Sequence, residues 1–108
     1  MATSEEYIEY VCDQMKKWNP KYKKMFGEYM VYINEKPLFT VCDDTVFVKE
    51  LDCIKDIMEN AERGFPYEGA RECYIVDIDD KDLIERIIPE IEPVISVPVK
   101  RSKNRKVK

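Results

Sequence analysis

Pairs of adjacent carboxylates are the residues of this 108-residue chain whose type and spacing could do chemistry, at Glu5-Glu6, Asp43-Asp44 and Asp79-Asp80. Two neighbouring carboxylates can act as a general acid and base, or they can bind a hard cation such as Ca²⁺. Each pair lies at a predicted turn or helix start, where acidic side chains accept hydrogen bonds from free backbone amides and complement the helix dipole. The spacing of an EF-hand is absent. We therefore interpret the three pairs as structural.

The composition excludes most kinds of small enzyme, because the chain contains no histidine. A Ser-His-Asp triad, a Cys-His nucleophile pair and an HExxH zinc site are therefore impossible within one chain. The three glycines form neither a GxGxxG motif nor a P-loop, so no glycine loop for phosphate is present. We expect a non-catalytic protein with no catalytic residues, no cofactor and no bound metal.

The four cysteines, Cys12, Cys42, Cys53 and Cys73, have no CxxC spacing, which disfavours a zinc site or a thioredoxin-like redox pair. The first ten residues are acidic and lack the apolar region of a signal peptide, and no apolar run reaches roughly 18 residues. We expect a cytoplasmic protein with no membrane segment. Thiols stay reduced in that compartment, so the cysteines are predicted to be reduced and buried in the core.

The net charge of −4 conceals an uneven distribution of charge along the chain. Residues 1–99 hold 12 basic and 22 acidic side chains, a net charge of −10. The last nine residues hold the other six basic side chains: Lys100, Arg101, Lys103, Arg105, Lys106 and Lys108. This basic tail, residues 99–108, is either a flexible solubilising end or a contact for polyanions. The second interpretation predicts weak, non-specific nucleic-acid binding.

The first half of the chain changes from a helical to a strand pattern. Apolar residues spaced by three and four predict a helix over residues 4–17, which a capping box at Thr3 and Glu6 begins. Asn19-Pro20 ends this helix. Three runs of β-branched and aromatic residues then predict an antiparallel meander, and residues 22–26 are a possible further strand before it. The runs are Tyr29–Ile33, Leu38–Cys42 and Thr45–Lys49.

The second half predicts a helix that begins at Asp52 and ends before Gly64, then a strand over Glu72–Ile78. A third helix begins at Asp79 or Asp80, and Pro89 is expected to kink or shorten it. The fold class is therefore α+β: a two-layer sandwich with a single antiparallel sheet and helices on one face, within a domain of residues 1–98. The element order is α-β-β-β(-β)-α-β(-β)-α. The uncovered face of the sheet makes a homodimer plausible.

Aromatic and basic residues are dense in the first third of the chain. The aromatic ones are Tyr7, Tyr10, Trp18, Tyr22, Tyr29 and Tyr32. The basic ones are Lys16, Lys17, Lys21, Lys23 and Lys24. Such a set can stack and neutralise single-stranded nucleic acid, or it can form core and protein interface. We favour the second interpretation, because tyrosine suits a partly buried interface.

Several motifs in order resemble the N-terminal domain of the TfoX/Sxy competence regulators. They are Met25-Phe26-Gly27, then Tyr29–Ile33, then Pro37-Leu38-Phe39, and the resemblance covers about residues 5–95. The chain departs from the family pattern at Glu28, where a second glycine is usual, and at Glu35, where the hairpin often has glycine. The family motif or possible interface consists of Met25, Phe26, Gly27, Tyr29 and Tyr32.

The resemblance implies a two-layer α+β fold and a regulatory or protein-binding module without catalytic residues. The full-length regulators carry a second, C-terminal domain that this chain lacks, so the resemblance implies a stand-alone interaction domain and not competence activation as a whole. We expect a small regulatory or adaptor protein that acts through protein contacts. The alternative is a nucleic-acid-binding accessory protein that uses the basic tail and the patch from Lys16 to Lys24.

Overall fold

The computed structural model describes residues 4–25 and 28–96. Two α-helices and six β-strands make up the fold. The helices are α1 (Glu5–Gln14) and α2 (Lys81–Ile91). The strands are β1 (Lys21–Met25), β2 (Glu28–Ile33), β3 (Lys36–Cys42), β4 (Thr45–Lys49), β5 (Arg63–Gly64) and β6 (Cys73–Val76).

All six strands form one antiparallel sheet in the order β1-β2-β3-β4-β6-β5. Alternate side chains on the strands point to one face, where both helices pack. The buried residues of that face share a single core with the apolar sides of α1 and α2. We call this the helix face and the opposite side the open face. The α+β class predicted from the sequence is confirmed.

Register explains why the core is continuous across the sheet. Tyr29 of β2 is opposite Val41 of β3, which is opposite Val46 of β4, which in turn is opposite Val76 of β6. Directly opposed residues lie on the same face of a sheet, so this row forms a buried stripe beneath the helices. The helices add Ile8, Val11, Ile84, Ile87, Ile88 and Ile91, none of which is exposed.

Two tight hairpins hold the meander in register. Asn34 and Glu35 have φ of 54° and 65°, and Asp43 and Asp44 both have φ of 54°. Positive φ at both central residues defines the type I′ turn, whose twist matches that of the flanking strands. Glycine adopts this backbone without strain, whereas a side chain such as that of Glu35 costs about 1 kcal/mol or more. Glu35, at which the family pattern often has glycine, thus has a left-handed backbone conformation.

The predicted helix after Asp52 is wrong. Only Asp52–Ile54 form a 3₁₀ turn, and residues 55–60 continue as turns. Ile54 and Met58 are still buried, so these two apolar residues reach the core without a regular helix. Gly64, expected to stop that helix, lies in β5, where an added Cβ would be 3.3 Å from side chains of both Phe47 and Ile75.

Both α-helices begin at a side-chain cap. The Ser4 hydroxyl accepts from the Tyr7 amide at 3.2 Å, so Ser4 caps α1, while Thr3 lies outside the described residues. The Asp80 carboxylate accepts from the Leu83 amide at 3.1 Å and caps α2. Pro89 does not shorten α2, which continues to Ile91. No helix of the described chain has the length and apolar character needed to cross a membrane.

Candidate functional site

A row of side chains crosses the open face of the sheet, which no described helix covers. Met30 is opposite Thr40, Thr40 is opposite Phe47, and Phe47 is opposite Ile75. Met30, Thr40 and Ile75 are half-buried and Phe47 is 6% exposed. The open face therefore has an apolar centre rather than the fully polar surface expected of a solvated sheet.

A cleft of about 750 Å³ lies on this face. Met30, Thr40 and Phe47 form its floor, and the segment 65–72 that leads into β6 contributes a wall with Pro66, Tyr67 and Ala70. Pro66 is buried, whereas Tyr67 is 54% exposed and its neighbour Phe65 is 62% exposed. The volume is in the range of about 300–1,000 Å³ of ligand sites, and the lining combines aromatic and aliphatic side chains, as such sites do.

Charged side chains line the rim of the cleft. Lys49 and Arg71 are exposed, and within the described residues neither forms an ion pair. The Glu50 carboxylate forms an ion pair with Arg63, whose Nε lies 3.0 Å from Oε2. This ion pair neutralises the charge of Glu50. The rim therefore offers two cations to an incoming group, beside the carboxylate of Glu72.

Cys73 also lines the cleft, but its thiol is not activated. Burial raises its pKa, and this effect together with Glu50 outweighs the opposite influence of Lys49. A reactive cysteine needs a lowered pKa, because the thiolate is the nucleophile. The Cys73 thiol is accordingly a poor candidate for a nucleophile.

Members of all three carboxylate pairs have structural roles. Asp80 caps α2, and Asp79 accepts a hydrogen bond from the Tyr10 hydroxyl, which raises the pKa of Tyr10. Asp44 accepts from the Ser4 amide at 3.4 Å. Glu5 and Glu6 occupy the first turn of α1, where they complement the helix dipole. Over residues 4–25 and 28–96, no three cysteine or acidic side chains are grouped as metal ligands.

The structure separates the residues of the family motif. Tyr29 is 6% exposed, lies in the core and meets the Tyr22 ring edge-on at 5.4 Å between centroids. Tyr32 alternates with buried Val31 and Ile33, and is half-buried on the open face. Met25 ends β1, while Phe26 and Gly27 lie outside the described residues. Tyr32 is therefore more accessible to a partner than Tyr29.

The predicted basic contacts fall into two groups. The six basic residues of the tail, from Lys100 to Lys108, lie outside the described residues. The five lysines from Lys16 to Lys24 are all exposed. Lys17 contacts Glu85 at 3.6 Å and lies over the Trp18 ring, at 4.9 Å from its centroid. Trp18 itself packs against the core, so it offers no free platform for a base.

Comparison with known proteins gives one relative of similar size. An uncharacterised 12.7 kDa protein in the trpE 5′ region of Spirochaeta aurantia is 33% identical to the chain over 98 residues. The match covers 90% of this chain and 81% of that protein. The chain belongs to the family of this protein. No family model and no solved structure matches the chain. The relative thus shares nearly the whole length of the chain and carries no assigned activity.

Sequence reasoning missed the cleft, because its lining comes from separate segments of the chain. The only local signal was the aromatic segment Phe65-Pro66-Tyr67, whose two rings are exposed in the structure. The cysteines are a second difference. All four are free thiols, but they are half-buried rather than fully buried as predicted.

Cys12 is expected to react at least about tenfold more slowly with iodoacetamide than the same residue in the unfolded chain. Burial raises its pKa to about 11, which lowers the fraction of thiolate at neutral pH by about a hundredfold. The greater nucleophilicity of a more basic thiolate recovers about tenfold of this loss. Peptide mass spectrometry of native and urea-unfolded protein over time measures both rates. Equal rates would contradict the burial of this thiol.

Proposed function

We propose that the chain is a small non-catalytic adaptor or regulator that binds a protein partner through the cleft on its open face. The observation that carries this proposal is the apolar floor of the cleft, formed by Met30, Thr40 and Phe47, beside the exposed ring of Tyr67. Aromatic residues, methionine and arginine are enriched in the buried centres of protein interfaces. The cleft combines these residue types on a face that no described helix covers.

The resemblance to the N-terminal domain of TfoX/Sxy regulators supports the same class of function, because that domain is regarded as a regulatory or protein-binding module. On this basis we propose a role in transcription or competence regulation. We also propose a cytoplasmic location, where the four free thiols would remain reduced.

The proposal is tested with a variant that fills the cleft. Thr40→Arg places a long charged side chain on the cleft floor, whereas Thr45→Arg changes the same residue type on the open face outside the cleft. The natural chain and both variants are used to capture proteins from native lysate treated with nuclease. We expect the Thr40→Arg variant to lose the protein that the natural chain captures, and the Thr45→Arg variant to retain it. Circular dichroism confirms that both variants are folded. Identical capture by the two variants would contradict a role for the cleft.

Nucleic-acid binding is a second candidate, favoured by the exposed lysines from Lys16 to Lys24. Together with the basic tail they would give two basic regions, one within and one beyond the acidic body of residues 1–99, whose net charge is −10. The acidic body repels a polyanion, so such binding would depend on the tail and would be weak at physiological salt.

Deletion of residues 100–108 is expected to abolish any binding to duplex DNA and to leave the fold intact. Six positive charges release up to six counterions, so the full chain would show a slope of about −5 in log affinity against log salt. A fluorescence titration of both chains with DNA and RNA measures this slope. Tight, sequence-selective binding that survives the deletion would favour the nucleic-acid function over the adaptor function.

Self-association through the open face is a further expectation. Phe47 and Tyr32 lie on this face, and two helices suffice to cover only the opposite side. We expect sedimentation velocity to show a rising average mass with concentration, and Thr40→Arg to reduce the rise. A constant monomer mass at the highest concentration would contradict the homodimer.

A further inference from the structure

Strand β1 forms one edge of the sheet. It pairs with β2 along all five residues from Lys21 to Met25, and within the described residues no strand pairs with its other side. The opposite edge, β5, has two residues only. An edge strand carries backbone N–H and C=O groups that can pair with another extended chain. The outer side of β1 is thus the longer of the two open edges of the described sheet.

Charge is arranged unevenly on the two sides of this edge. Lys21 is opposite Tyr32 and Lys23 is opposite Met30, so both lysines lie on the open face. Tyr22 is opposite Val31 and lies on the helix face. Within the described residues neither Lys21 nor Lys23 forms an ion pair, although Lys36 does so with Glu92 at 3.0 Å.

The helix-face side of the edge has a mixed character. Burial, followed by the nearby carboxylates of Glu5 and Glu9, raises the pKa of Tyr22. These carboxylates belong to α1, which holds four acidic residues and no basic residue. Lys24 is opposite Tyr29 and also lies on the helix face, at the far end of the edge. A chain lying along β1 would therefore meet Lys21 and Lys23 on the open face and, between them on the helix face, the Tyr22 ring close to negative charge.

We propose that the outer edge of β1 binds an extended acidic peptide segment by strand addition. Side chains alternate along a strand, so carboxylates at every second position of the peptide would face Lys21 and Lys23, while an apolar residue between them would face Tyr22. Backbone hydrogen bonds supply affinity, and the alternating charge selects the sequence and its register. Lys23 is opposite Met30 of the cleft floor, but no described residue of β1 lines the cleft, so the inference does not depend on the proposed function.

Other occupants fit this edge less well. A second copy that paired β1 with β1 would bring lysines next to lysines, and like charges directly opposite one another destabilise a strand pair. A nucleic acid has phosphates but no peptide groups to pair with the edge. An acidic peptide meets both the charge and the hydrogen-bonding requirement.

The test uses the full chain and a short capped peptide in which glutamate and valine alternate. We expect the peptide to protect β1 amides from hydrogen exchange in NMR spectra. Methylation of alternate peptide nitrogens keeps the charge and removes the donors, and is expected to weaken binding by about tenfold or more, since several hydrogen bonds are lost. A peptide of the same composition with its glutamates in one block is expected to bind more weakly as well.

Matched variants separate this site from general electrostatics. Lys21→Glu with Lys23→Glu is expected to weaken binding by about tenfold, since two attractive contacts become repulsive. Lys55→Glu with Lys81→Glu makes the same change in net charge at exposed residues away from β1, and should change affinity by less than about threefold. Thr40→Arg fills the cleft from a strand that does not adjoin β1 and should change peptide affinity by less than about threefold, so a failure of either proposal is recognised separately.

Three results would overturn the inference. The first is equal binding of the methylated peptide, which would show charge attraction without strand pairing. The second is equal weakening by the two double variants. The third is an absence of protection at β1 with the peptide. Stronger protection there by a single-stranded oligonucleotide than by the peptide would assign the edge to nucleic acid.

Discussion

Replacing Phe39 with alanine is expected to lower the free energy of unfolding by about 3–5 kcal/mol. Phe39 is 1% exposed, lies in β3 and is opposite Val31 beneath the helices. Its removal leaves a cavity that the surrounding strands cannot close, because β2 and β4 hold β3 on both sides. Domains of this size have about 5–15 kcal/mol of stability in total, so the variant would be close to unfolding. Urea denaturation followed by circular dichroism measures the change.

Phe65→Ala is the matched control for this prediction. The same ring is removed, but Phe65 is 62% exposed in the wall segment of the cleft. Its change in the free energy of unfolding is expected to lie within about 0.5 kcal/mol. A loss below 1 kcal/mol for Phe39→Ala, or equal losses for the two variants, would contradict the packing described for β3.

Pro89→Ala is expected to raise the free energy of unfolding by about 2 kcal/mol. Proline inside a helix destabilises the folded state by about 3 kcal/mol relative to alanine, so its removal stabilises the helix. Part of this stabilisation is offset, because alanine makes the unfolded chain more flexible. The helix continues for two residues beyond Pro89, to Ile91, so an alanine amide at this position can donate to the carbonyl of Glu85. Thermal and urea unfolding of the two proteins give the difference.

Glu90→Ala controls for the general effect of alanine in α2. Glu90 is exposed on the same helix, next to the proline, and the change is expected to stay within about 0.5 kcal/mol. A Pro89→Ala variant that is less stable than the natural chain would indicate that the proline contributes packing that outweighs the lost hydrogen bond.

Strand β2 was predictable because its sequence pattern and its burial follow the same alternation. In β2, the residues Tyr29, Val31 and Ile33 are buried and the residues between them are half-buried. The turn residues Asn34 and Asp43 also favour left-handed backbone, so the local preference and the fold agree. Where local pattern and tertiary structure agree in this way, sequence reasoning succeeds.

The segment after Asp52 shows why such reasoning fails elsewhere. Ile54 and Met58 have helical spacing, but this spacing is equally satisfied by a 3₁₀ turn followed by other turns. The deciding contact is distant in sequence, because Gly64 must approach Phe47 and Ile75 closely for β5 to join the sheet. No local pattern reports such a contact. The cleft escaped prediction for the same reason, since β2, β3, β4 and the 65–72 segment meet only in the folded protein.

The positions of the two helices have a consequence for how the protein is made. Both pack on the same face of the sheet, yet α1 precedes all six strands and α2 follows them. A ribosome synthesises the chain from its N-terminus, so Val31 and Phe39 leave it long before Ile84 and Ile87 can cover them. Until α2 is released, the apolar strands of the nascent chain expose the surface that this helix covers, and such exposed surface favours aggregation.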